Sequence, residues 1–137
     1  MKRENPLAGL LKYIEEKNAY LLEVDNILGK HVPKDEPEKI KEHLIIILSH
    51  RPTIATIFAK LEKFLDDALA FYLPKKEKSE TDLDRKYALD AKVAQFRYWR
   101  NFVELALLKT IDMQASAMQS LLSYEKKHLT QLGSVGA

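Results

Sequence analysis

Residues 81–132 read TDLDRKYALDAKVAQFRYWRNFVELALLKTIDMQASAMQSLLSYEKKHLTQL and contain neither proline nor glycine. Thr81 or Asp82 supplies an N-cap, so the stretch predicts one very long C-terminal helix over 82–132. Some 50 residues at 1.5 Å each come to about 75 Å, more than the diameter of a globule of this size. Such a helix either breaks or needs a partner. Its apolar residues fall on two stripes: Tyr87, Ala91, Ala94, Tyr98, Phe102, Leu105, Leu108, Ile111, Ala115, Met118 and Leu122 on one, and Leu89, Val93, Phe96, Val103, Leu107, Ala117, Leu121 and Tyr124 on the other. A helix that is apolar on two faces has to be covered on both. The preceding helix covers one. A second copy of the chain covers the other, which predicts a homo-oligomer with Val103, Leu107, Leu121 and Tyr124 at its interface. The competing solution wraps the first helices of the same chain over the second stripe.

Upstream, residues 74–81 read PKKEKSET, a charged loop without a large apolar side chain. Before it, Asp35 caps and Pro37 starts a helical span over 37–73, in which Pro52 either kinks one helix or begins another. Ile40, Leu44, Ile45, Ile46, Ile47 and Leu48 precede that proline, and Ile54, Ile57, Phe58, Leu61, Phe64, Leu65, Ala68, Leu69 and Tyr72 follow it at helical spacing. The β-branched run at 45–47 suits a buried strand, but no partner strand exists anywhere in the chain. The N-terminal helix spans 1–29, with Asn5 as N-cap, Pro6 at its first position and Gly29 as the stop. A polar connector covers 30–36 and a short tail 133–137. The fold class is therefore all-α, an antiparallel helical bundle in a single domain over 1–137.

Composition narrows the chemistry. With 137 residues, 46% of them hydrophobic and 31% charged, the chain can bury a core. It has no cysteine, so it has no disulfide framework, thiolate metal site or cysteine nucleophile. The longest uncharged apolar run, Leu44 to Ser49, is far shorter than the roughly 20 residues of a membrane span, and no apolar signal segment follows Met1-Lys2-Arg3. The expectation is a cytoplasmic protein that does not enter the membrane.

Catalytic constellations are missing. The chain has no glycine-rich phosphate loop, nucleophile elbow or His-Glu-x-x-His. Glu125 and His128 share a helix face at the spacing of a di-iron ligand pair, but such sites need a second pair and two further glutamates. His43 and His50 lack a third ligand, and Glu62, Asp66 and Asp67 read as a solvated acidic face beside Lys60 and Lys63. No enzyme activity, cofactor, metal or small-molecule substrate is expected.

Charge says more. Residues 91–137 carry six basic against three acidic side chains, and this is where the chain's positive excess lies. Lys92, Arg97, Arg100 and Lys109 alternate with Phe96, Tyr98, Trp99 and Phe102, and Lys75, Lys76, Lys78, Arg85 and Lys86 come just before. Lys and Arg on phosphates with bases stacked on aromatic rings are the ingredients of single-strand binding. The expected nucleic-acid contacts are Lys75, Lys76, Lys78, Arg85, Lys86, Lys92, Arg97 and Arg100, with Tyr98 and Trp99 as stacking platforms or interface anchors.

The sequences Ala68-Leu69-Ala70-Phe71-Tyr72, Pro74-Lys75-Lys76-Glu77-Lys78 and the amphipathic run from Asp82 to Tyr124, with Tyr98-Trp99, Phe102-Val103-Glu104 and Ile111, resemble the UvsY-type recombination mediators of T-even phages. The likeness covers about residues 48–125. It departs at Phe71-Tyr72-Leu73-Pro74, where the family has Tyr-Tyr-Gly, and at Asp112-Met113-Gln114, where the family is basic. The resemblance implies a homo-oligomer that binds single-stranded DNA and loads a recombinase onto strands covered by single-strand-binding protein. The alternative expectation is a helical protein–protein interaction factor, such as an assembly component or inhibitor, without nucleic-acid binding.

Overall fold

A computed structural model describes the backbone of residues 5–72 and 82–135 and the side chains of 5–72 and 83–126. The expected loop at 74–81, with Lys75, Lys76 and Lys78, lies outside them. Every described element is helical. Helix α1, Pro6–Leu28, begins as its residues dictate: Pro6 fills a position that needs no N–H, and the Leu7 N–H donates to Asn5 Oδ1 at 3.0 Å. At its far end the Gly29 N–H donates back to the Asp25 carbonyl. Gly9 sits in the helix interior, where glycine is unfavourable. A β-carbon there would come within 3.3 Å of the Phe64 ring, so its absence lets the two helices approach.

Helix α2, Pro37–Tyr72, runs unbroken for 36 residues with Pro52 inside it. Pro52 has no N–H to give the Leu48 carbonyl, a loss that would normally break a helix. Here apolar side chains on both sides of the proline, Ile47 before and Ile54 and Ile57 after, bury on one face and hold the helix together. The same burial settles 45–47 as helix. By length and composition α2 is the one described helix that could cross a bilayer. Its buried face, Ile40, Ile47, Ile54, Ile57, Leu61, Leu65 and Ala68, is taken up by the protein core.

Residues 82–135 do not form a single α-helix. They form α3, Asp82–Asn101, a π-helical segment, Phe102–Leu108, and α4, Lys109–Val135. The long helix expected over 82–132 therefore changes its winding near the middle. In the wide turns the Lys109 N–H reaches Glu104 O, and Thr110 Oγ1 donates to Leu105 O at 3.1 Å, both five residues back. The apolar spacing accounts for it. Val103, Leu107, Ile111 and Ala115 are all buried and recur every fourth residue. At 3.6 residues per turn each step of four overshoots by about 40°, so an α-helix would carry the fourth residue about 120° off the face. The π turns hold more residues each and bring the series back into line.

Helix α2 packs against α1, α3, the π segment and α4, while α1 packs against α2 and the π segment. Asn5 meets Tyr72 at one end, and Leu28 meets Gln114 at the other. Thus α1 runs alongside the α3-to-α4 direction and α2 runs against both, an antiparallel three-helix bundle. Its core joins Leu10, Leu21, Val24, Ile54, Leu61, Val93, Phe96, Val103, Leu107 and Ile111 in one cluster. The expected oligomer interface needs correction here, because Val103 and Leu107 are 0% exposed within a single chain. The first helices cover the second stripe from Val93 to Leu107, while Ala117 and Tyr124 of that stripe are exposed.

Candidate interaction face

The basic and aromatic residues of α3 divide around its buried strip, centred on Val93 and Phe96. At 100° per residue, Lys86 and Arg97 fall on one side of that strip and Lys92 on the other. Lys86 and Lys92 are exposed, while Arg85, Arg97 and Arg100 are half-buried. Arg97 Nη1 donates to Asp90 Oδ1 at 2.8 Å. Lys92 Nζ stands 5.4 Å over the Tyr72 ring, and Arg100 donates to Asn101 Oδ1 through Nε and Nη2. Lys109 pairs with Glu104 at 3.4 Å. The expected phosphate contacts are thus split between two flanks, and Lys92, Arg97 and Arg100 have partners in the chain.

Trp99 is half-buried against the core and stacks edge-on with Tyr98 at 5.3 Å and Phe102 at 6.1 Å. Tyr98 points outward, 62% exposed. Leu121 is half-buried and lines a cleft of about 230 Å³ with Val32, Ile40 and Met118. Tyr124 is exposed.

The histidines are used in packing. His50 Nδ1 lies 2.8 Å from the Tyr20 hydroxyl, and His43 Nε2 lies 3.4 Å from Gln114 Oε1. Gln114 Nε2 also donates to the Leu28 carbonyl at 2.7 Å, capping the end of α1. Among the described residues no three His, Asp or Glu side chains gather into a metal site. Burial pushes the Tyr13 and Tyr20 hydroxyls up. Lys39 is raised by Glu36, Arg51 is raised by Asp112, and Asp112 is held below its ordinary value by Arg51. These are part-buried tyrosines packed against the core and surface ion pairs.

One feature of α3 is left over once the core is accounted for. Tyr87, Ala91, Ala94 and Tyr98 are all exposed, with Tyr87 at 64%. They follow one another at steps of four, three and four, and Asn101 and Leu105 continue the same spacing, Leu105 being 54% exposed. This is the a/d spacing of a coiled-coil seam, here without a partner. The signal was present in the first stripe read from the sequence. It was hidden because that stripe was assigned to the core as a whole, whereas only its later members, Ile111 and Ala115, are buried. No protein-family model, no characterised protein and no solved structure matches the chain, so the reading of this face rests on its own residues.

Proposed function

We propose that this chain is a non-enzymatic helical interaction protein, which presents the face of α3 bearing Tyr87, Ala91, Ala94 and Tyr98 to another protein helix. The observation that carries the reading is this uncharged, exposed seam at coiled-coil spacing on a helix whose opposite side is already buried. The seam offers two aromatic rings for burial and two alanines that let a helix come close, and aromatic anchors are what protein interfaces favour.

The second reading is the single-stranded DNA mediator, and the exposed Tyr98 ring, flanked by Trp99, is the observation that favours it. The dispersal of Lys86, Lys92 and Arg97, and the pairing of Arg97 with Asp90, weigh on the other side. Two measurements separate the readings. A photo-crosslinking side chain at Ala94 should give a nuclease-resistant protein adduct, with none from the same group at exposed Glu62. A labelled single-stranded oligonucleotide should show no tight binding at low salt. Tight binding that falls steeply with salt, with no protein adduct, would replace this proposal by the DNA reading.

A further inference from the structure

The chemistry of the α3 seam specifies its partner. Read from either end, the exposed positions are Tyr87, Ala91, Ala94, Tyr98, and the order of residue types is the same in both directions. A two-fold antiparallel contact uses this symmetry: residue i touches j of the other copy and j touches i, so position 87 meets 98 and 91 meets 94, ring against ring and alanine against alanine. We infer that α3 pairs antiparallel with α3 of a second copy of this chain, with the two-fold axis level with the peptide between Lys92 and Val93. This rests on the reading of α3 as a protein-binding face.

In that register Ala91 of each copy packs on Ala94 of the other, and Tyr87 on Tyr98. The alanine pair sits at the centre, where the helices come closest, and the tyrosines close both ends with their rings buried and their hydroxyls toward water. The flanking charges fit the same axis. Asp90 and Arg97 border the seam on one side, one heptad apart and opposite in sign, and each is 40% exposed at its side chain. Antiparallel pairing sets this flank against itself and brings Asp90 of one copy beside Arg97 of the other, extending the existing 2.8 Å pair into an alternating network of four charges. Parallel pairing would set the flank against the opposite one, so that Asp90 met Gln95 and Arg97 met Phe102, neither of which carries an opposite charge. The contact is short, which places the dimer among weak, concentration-dependent ones.

The chain has no cysteine, so introduced thiols report on pairing without interference. Light scattering of the wild-type protein at rising concentration should approach twice the 15.8 kDa chain mass. Ala94→Glu should stay at one chain mass with its helical circular dichroism unchanged. Under mild oxidation, a mixture of Tyr87→Cys and Tyr98→Cys proteins should form the mixed disulfide in preference to either homodimer. In the antiparallel pair positions 87 and 98 are level, while two copies of position 87 are 11 residues, about 17 Å, apart. Preferential Tyr87→Cys homodimers would mean parallel pairing and overturn the inference. So would a wild-type protein that stays monomeric at every concentration. If that monomer still gives the Ala94 photo-adduct with a different protein, the interaction reading survives; if it gives none, both fail.

Discussion

Gln114 does at the scale of one residue what a hydrophobic contact cannot. It lies on α4, caps the Leu28 carbonyl of α1 with its amide nitrogen at 2.7 Å and faces His43 of α2 with its oxygen at 3.4 Å. One side chain therefore ties three helices together at the end of the bundle where α1 stops. Replacing it with leucine keeps the bulk but leaves a carbonyl and an imidazole nitrogen without partners, which should lower stability by about 1–3 kcal/mol in urea unfolding. Asp112, two residues away, gives a pH-dependent version of the same test. Arg51 binds its carboxylate through two nitrogens, at 2.6 and 3.1 Å, and holds its pKa below the ordinary 3.8. A carboxylate depressed in the folded state stabilises the fold above its unfolded pKa, and that contribution is lost as pH falls through the depressed value. Wild type should therefore be the more stable of the pair with Asp112→Asn at neutral pH, and the two should converge as pH is lowered below the ordinary carboxylate range. Equal unfolding midpoints across the whole range would mean that solvent screens the pair out.

At the scale of the element, the π segment is what the apolar pattern requires. Four buried residues at steps of four cannot stay on one face of an α-helix, and the wide turns over Phe102–Leu108 resolve this by absorbing one extra residue. Removing a residue from inside the segment should let it relax to an α-helix with the flanking helices still in register. Removing one from α3 should instead rotate everything beyond it by about 100° and take Val103, Leu107 and Ile111 off the core. Deletion of exposed Leu105 is thus expected to give a cooperative thermal melt, whereas deletion of exposed Gln95 is expected to abolish it; the reverse order would show that the π turns hold no surplus residue. The sequence carried both halves of this argument in legible form: a helix too long for the globule, and two stripes in place of one. It did not locate the change of winding, because each step of four is ordinary helical spacing and only their succession from Val103 to Ala115 is not. The ends of α1 were legible for a different reason, since Asn5, Pro6 and Gly29 act through local backbone chemistry that tertiary packing does not alter. Pro52 was ambiguous on the same grounds. Its local effect is to break a helix, and only burial on both sides, invisible in the sequence, outweighs it.

At the scale of the whole molecule, one side of the helical run from α3 to α4 is buried in the core and the other is exposed, and amphipathic spacing alone does not tell the two apart. Leu107 and Ala94 make the contrast testable. The sequence places Leu107 on a surface between copies, yet it is fully buried, in the π segment that packs on α2 and α1. A domain of this kind is held by roughly 5–15 kcal/mol in total, and truncating one core leucine costs about 2–5 of that. A carboxylate in the same place adds the penalty of an unpaired buried charge. Leu107→Asp should therefore unfold the chain at room temperature, with loss of helical circular dichroism and a red shift of the half-buried Trp99 emission. If Leu107 belonged to an interface between copies, the same substitution would leave a folded, dissociated monomer with its tryptophan signal intact. Ala94→Glu is expected to do what Leu107→Asp cannot, leaving a folded chain with only its association changed. The pair of variants thereby tests the two sides separately, the inward one for the fold and the outward one for the proposed pairing.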